Sequence, residues 1–134
     1  MLLQLLNYKI EGHNDVEKLT TLPILADVAV ANDTAKTRGD IVVHENQNNQ
    51  MEEIFRSIRT NLQFMLKENE KVVIFTSTTS GEGKTFNAAN LAVSFALLNK
   101  KVILIGLDIR KPRLAELFEI DNHTNGITNV LVLD

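Results

Sequence analysis

Between residues 50 and 69, apolar side chains recur at helical spacing. Met51, Ile54, Phe55, Ile58, Leu62, Met65 and Leu66 draw a single stripe roughly four turns long, with charged and amide residues between them. This pattern predicts an amphipathic helix buried along one side. The pattern then changes. "KVVIFTS" (71–77) and "KVILIGLD" (101–108) hold continuous runs of Val, Ile and Leu, which predict strands covered on both faces. Between them "KTFNAANLAVSFALLNK" (84–100) is apolar around most of its girth and predicts a covered helix. Pro112 predicts the start of a short helix, "PRLAELF", and Gly126 a break before "ITNVLVLD". Buried strands alternating with helices imply an α/β fold with a doubly wound, mostly parallel sheet.

The first half of the chain is less regular. Asn14 is followed three residues later by Glu17, a capping pair that predicts a short helix through Leu22, which Pro23 stops. "ILADVAV" (24–30) predicts a short strand or extended segment. From 31 to 49 the chain is polar with no sustained period, the composition of a mobile connector. The organisation predicted is therefore an N-terminal segment (1–30), a linker (31–49) and an α/β unit (50–134).

Composition narrows the function classes. The chain has 134 residues, 44% hydrophobic and 23% charged, which fits one domain of ordinary globular make-up. The net charge is −3 with no long basic block, so no nucleic-acid partner is indicated. There is no cysteine, which excludes a disulfide framework and a thiolate metal site. His13, His44 and His123 are isolated in polar surroundings and read as surface residues rather than ligands. The opening "MLLQLLNYKI" lacks the basic start and small-residue cleavage site of a signal peptide and is too short to cross a bilayer. The chain reads as soluble and intracellular.

The candidate chemistry lies in "TSTTSGEGKTF" (76–86), set between a predicted strand and a predicted helix. In a phosphate-binding loop, small residues let consecutive N–H groups turn around phosphate oxygens, and the following helix adds its N-terminal dipole. Thr79, Ser80, Gly81, Glu82, Gly83, Lys84, Thr85 and Phe86 make up the candidate nucleotide-binding set. Gly81 and Gly83 supply freedom, Lys84 a charge for the outer phosphates, and Thr85 a hydroxyl for Mg²⁺. Thr78 stands where the usual pattern opens with glycine, but Gly83, where backbone must approach phosphate, is intact. The bland alternative is a surface turn that happens to precede Lys-Thr; the strand before it and the helix after it favour the nucleotide site. Asp108 ends the neighbouring predicted strand, where an acid points into the ligand crevice of a doubly wound sheet. It is the candidate to hold Mg²⁺ with Thr85 and, with Lys84, the candidate catalytic residue; the alternative is an acid that simply ends a strand.

Together "TSTTSGEGKTF" and "VILIGLDIRKPRL" resemble the bacterial tyrosine kinases of capsule and exopolysaccharide assembly, within the ParA/MinD branch of P-loop ATPases. That branch carries a second acidic motif, Asp-x-Asp, often followed in the kinases by x-Arg. Here it reads Gly106-Leu107-Asp108-Ile109-Arg110, with glycine in place of the first acid. A Glu-x-x-Arg-x-x-Arg motif ahead of the phosphate loop is matched by Glu53, Arg56 and Arg59, whose spacing of three puts them on one helix face. Taken alone, that spacing is also what a solvated charged face with intrahelical pairs would show. "DVEKLTTLPIL" resembles the segment that joins the family's membrane-anchored chain-length domain to its kinase domain.

The resemblance implies ATP and Mg²⁺ as cofactors, and transfer of the γ-phosphoryl to protein tyrosine at the inner face of the plasma membrane. It implies ring-forming self-association through Glu53, Arg56 and Arg59, a chain-length-determinant domain as partner, and a cognate tyrosine phosphatase. A full domain of this class has about 200 residues and more strands than this chain supplies. The third acidic motif, the base-binding segment and the tyrosine-rich tail have no counterpart here, and the only tyrosine is Tyr8. The chain thus reads as an N-terminal piece of a kinase with exposed apolar strand edges and little or no transfer activity alone. A ParA/MinD-like ATPase and a non-catalytic, ring-forming adaptor are the alternatives.

Overall fold

The computed structural model describes residues 9–28, 41–45, 49–108 and 112–120. The expectations for Tyr8, Ile109, Arg110, His123 and the stretch 121–134 lie outside these residues.

Four helices form among the described residues: α1 (His13–Glu17), α2 (Gln50–Met65), α3 (Lys84–Ala96) and α4 (Leu114–Leu117). The body is built by α2 against α3. Asn49 caps α2, its side-chain oxygen accepting the Glu52 N–H at 2.8 Å, an interaction worth roughly 1 kcal/mol. Glu52 and Glu53 in the first turn complement the helix dipole. The predicted stripe is the buried face. Phe55, Ile58 and Leu62 join Val43 and Leu91 in the core, with Met51, Ile54 and Leu66 packed around them. Met65 is the exception, half exposed where the helix ends. From α3, Phe86 sets its ring edge-on to Phe55, with centroids 5.7 Å apart and planes at 63°.

Two stretches of non-helical chain are strapped onto this pair. Asn90, fully buried on α3, accepts the N–H groups of Val42 (2.7 Å) and Val43 (3.2 Å) and donates to the Phe86 carbonyl (3.0 Å). Asn49 Nδ2 donates to the Val42 carbonyl at 3.3 Å. Within the stretch 31–49 that composition marks as a connector, Val43 is therefore a core residue. Further upstream, Asn61 on α2 donates to the Leu25 carbonyl at 2.8 Å, and Leu25, Ala26 and Val28 pack on the core.

Two expectations, both for α1, are corrected. Helix α1 is capped by Gly12, not Asn14, and has no side-chain cap bond of its own. The acid that closes its N-terminal turn is Asp15, which accepts the Glu11 N–H at 3.1 Å. The helix ends at Glu17 rather than Leu22, because Leu19 and Thr20 turn back onto the Val16 carbonyl and Thr20 Oγ1 takes the Leu22 N–H. No strand forms among the described residues, so 71–77 and 101–108 make no ladder there. The apolar side chains meant for a covered sheet stand open: Val72 is 82% exposed, Ile74 84% and Ile103 87%. A strand exists only through its neighbours' hydrogen bonds, and no ladder partner for either segment is seen among the described residues. No helix among the described residues is long and apolar enough to cross a membrane.

Candidate nucleotide site

The loop between residue 77 and α3 is folded by two glycines and one acid. Gly81 and Gly83 both sit at φ +92°, a left-handed conformation that side chains disfavour. Gly83 is the cap of α3, and its carbonyl accepts both the N–H (2.9 Å) and the side-chain amide (3.0 Å) of Asn87. A Cβ at Gly83 would meet that amide nitrogen at 3.3 Å, so conformation and space both call for glycine. Lys84 and Thr85 open α3, in the first helical turn whose N–H groups have no intrahelical partner.

Lys84 is held back across the loop. Its Nζ donates to Ser77 Oγ at 2.6 Å and lies 3.5 Å from the Thr79 carbonyl, while Ser77 Oγ donates to that same carbonyl at 2.9 Å. Opposite the lysine, Glu82 gathers the loop's entry. Oε2 accepts the N–H groups of Thr78 (3.0 Å) and Thr79 (3.3 Å), and Oε1 accepts their hydroxyls at 2.9 and 2.8 Å. Hydrogen bonds from the Thr79 hydroxyl and amide, then from the Thr78 hydroxyl, pull the Glu82 carboxyl down to about 2.

The sequence set is thus brought together in part. Thr79, Gly81, Glu82, Gly83 and Lys84 form one cradle, with Ser80 on its exposed rim and Thr85 at the head of α3. Phe86 turns into the core, where it seats α3 on α2. Asp108 lies exposed at the end of 101–108. Two residues before it, Gly106 is exposed but approached on its Cβ side by Leu114: a Cβ there would meet Leu114 Cδ2 at 3.3 Å and Cβ at 3.4 Å. Leu114 of α4 lies beside the place of the absent acid.

The motif on α2 is engaged within the chain. Arg56 pairs with Glu52 and Glu53, each at 3.0 Å. Arg59 Nη1 donates to the Ser94 carbonyl at 2.6 Å and to its hydroxyl at 3.0 Å. That carbonyl belongs to the last turn of α3, where orphan carbonyls favour a cation. Burial, with Arg56 nearby, lowers the Arg59 pKa. A cleft of about 250 Å³ opens there, lined in part by Glu52, Arg56, Arg59 and Ser94, and shares no residue with 77–85.

Sequence reasoning did not single out Ser77 as the partner of Lys84, Glu82 as the loop's internal acceptor, or Asn90 as the anchor of 42–43. The hydroxyl run 77–80 beside an acid was the available signal for the first two.

Comparison with known proteins points to a nucleotide-binding family for this part of the chain. Residues 73–128 match the family described as the CobQ/CobB/MinD/ParA nucleotide binding domain, which gives this part of the chain a P-loop NTPase fold. Within that class, the resemblance to bacterial tyrosine kinases is borne out. The chain is 48% identical over 81 residues to the tyrosine-protein kinase YwqD of Bacillus subtilis, covering 60% of this chain and 34% of that protein. It is 35% identical over 97 residues to the putative tyrosine-protein kinase CapB of Staphylococcus aureus, covering 72% and 42%. It is 33% identical over 130 residues to the putative tyrosine-protein kinase EpsB of Ralstonia nicotianae, covering 93% and 17%. Among solved structures, the chimerical protein CapA2B2 aligns with a TM-score of 0.73 at 32% identity, over 90% of this chain and 50% of that one. The chain spans well under half the length of these curated relatives.

Proposed function

We propose that this chain is the ATP-binding part of a protein-tyrosine autokinase of capsule or exopolysaccharide export, able to hold nucleotide but inactive in transfer by itself. One observation carries the reading: a lysine tethered across a glycine-hinged loop at the head of a helix, with Gly83 in the left-handed conformation that phosphate approach requires. The complete domain has the doubly wound, mostly parallel sheet of its class, with 71–77 and 101–108 as neighbouring strands.

Lys84 and the N–H groups at the start of α3 would take the outer phosphates of ATP. Mg²⁺ fits the donors present, because it keeps several waters and needs only one or two protein oxygens beside substrate phosphates. Thr85 and Asp108 would supply those oxygens, and the ion, when bound, would neutralise charge that develops on the transferred phosphoryl. Lys84 positions and neutralises; Asp108 orients. Glu53, Arg56 and Arg59 contribute to a ring of subunits, and the partners are a membrane chain-length domain and a cognate tyrosine phosphatase. The site of action is the inner face of the plasma membrane.

A second reading, a nucleotide-binding adaptor without transfer, is favoured by Gly106. No carboxylate stands there, and a side chain beginning at its Cβ would press on Leu114. The two readings part in one assay, in which the full chain is incubated with Mg-ATP and a tyrosine-containing acceptor protein. Nucleotide binding with no transfer until the rest of a kinase domain is supplied is the expected result. Robust transfer by this chain alone would contradict the claim of inactivity. Binding without transfer even in a completed domain would leave the adaptor.

A further inference from the structure

Thr78 in place of the opening glycine raises a question that the loop's hydrogen bonds answer. Its N–H and hydroxyl both go to one carboxylate, that of Glu82, which also takes the N–H and hydroxyl of Thr79. A glycine at 78 would offer only the N–H.

The peptide groups of 78 and 79 are therefore held from one side by Glu82. From the other side, the Thr79 carbonyl receives Ser77 Oγ, and Ser77 in turn receives Lys84 Nζ. A continuous chain of hydrogen bonds runs Glu82, Thr79, Ser77, Lys84 across the mouth of the loop. We infer that Glu82 is a positioning residue for phosphate binding, an internal strut that fixes 77–79 so that Lys84 is aimed before nucleotide arrives. The inference rests on the reading of this loop as a nucleotide site.

The direction of its effect follows from which donors it uses. Glu82 consumes the N–H groups at the loop's entry, on 78 and 79. The N–H groups that open α3, from Lys84 onward, point along the helix axis out of its N-terminus, where a phosphate would sit. The carboxylate thus organises the frame without taking the donors that meet phosphate. A loop ordered in advance binds more tightly, because less chain entropy is lost on binding. The single negative charge is exposed and screened by solvent, so its repulsion of phosphate is the smaller effect.

The test compares Mg-ATP affinity of the full chain with that of Glu82→Ala, Glu82→Gln and Lys84→Ala, alongside amide exchange at Thr78 and Thr79 without nucleotide. The expectation is a loss of about tenfold in affinity for Glu82→Ala, with part of it restored by Glu82→Gln, which keeps one acceptor oxygen. Exchange at both threonines should accelerate in Glu82→Ala while the α2 amides stay protected, showing that the fold survives. Equal or tighter binding by Glu82→Ala would overturn the inference and make the carboxylate a bystander or a competitor. Unchanged exchange at 78 and 79 would overturn it without any reference to nucleotide. Loss of binding in Lys84→Ala with none in Glu82→Ala leaves the nucleotide site standing and removes only the strut. A folded chain that binds no Mg-ATP removes both.

Discussion

Replacing Asn90 by alanine should detach residues 42–43 from α3, and the size of the effect can be worked from the bonds lost. Asn90 is fully buried, and its oxygen serves two backbone N–H groups at 2.7 and 3.2 Å. An alanine leaves both donors without that partner. An unsatisfied buried donor costs about 1–3 kcal/mol. Val43, itself in the core, bears the full cost, whereas the Val42 N–H is partly buried and regains some water. The sum is about 2–4 kcal/mol, a large share of the roughly 5–15 kcal/mol that holds a small domain folded. Urea unfolding of the chain and of Asn90→Ala measures the difference, and amide exchange at Val42 and Val43 locates it. Both amides should lose protection while those at the centre of α2 keep theirs. A difference below about 0.5 kcal/mol, or undiminished protection at 42 and 43, would refute the view that one asparagine fastens this segment.

Three more outcomes are expected. Phe55→Ala removes the core's central ring and its edge-on contact with Phe86, and should cost about 3–5 kcal/mol in unfolding experiments, with weaker nucleotide binding because Phe86 seats the start of α3. The Glu82 carboxyl, pulled from 4.5 to about 2, contributes loop stability that is fully present above pH 4.5 and lost as pH falls through about 2. An NMR titration of that carboxyl should have its midpoint near 2, and a midpoint at the ordinary value would show that the four hydrogen bonds do not persist in solution. Gly106→Asp should destabilise the chain by about 1 kcal/mol by pressing on Leu114, and Leu114→Ala should relieve it; equal stabilities by thermal unfolding would show that Leu114 yields freely.

How much was legible beforehand depended on range. The α2 stripe was readable because burial of Phe55, Ile58 and Leu62 repeats at the helix period. The turn into α3 was readable because its conformation is set by Gly81, Gly83 and the helix that follows. Residues that act over distance were silent. Asn90 reaches 48 residues back to Val42, and Arg59 reaches 35 forward to Ser94; neither spacing leaves a local mark. Composition even misdirected, since Val42 and Val43 sit among polar neighbours and read as connector. The short α1 was misjudged at its cap because Asn14 and Glu17 had the right spacing while Asp15 made the bond. The runs 71–77 and 101–108 have strand composition, but a ladder needs partners that composition does not supply.

The central claim is that residues 77–85 bind the phosphates of a nucleotide through Lys84 and the head of α3. Titration of the full chain with a fluorescent ATP analogue and Mg²⁺, beside Lys84→Ala, tests it most directly. Saturable binding by the chain, lost in Lys84→Ala with the fold intact, is the predicted result. Equal binding by both, or none by a folded chain, would contradict it.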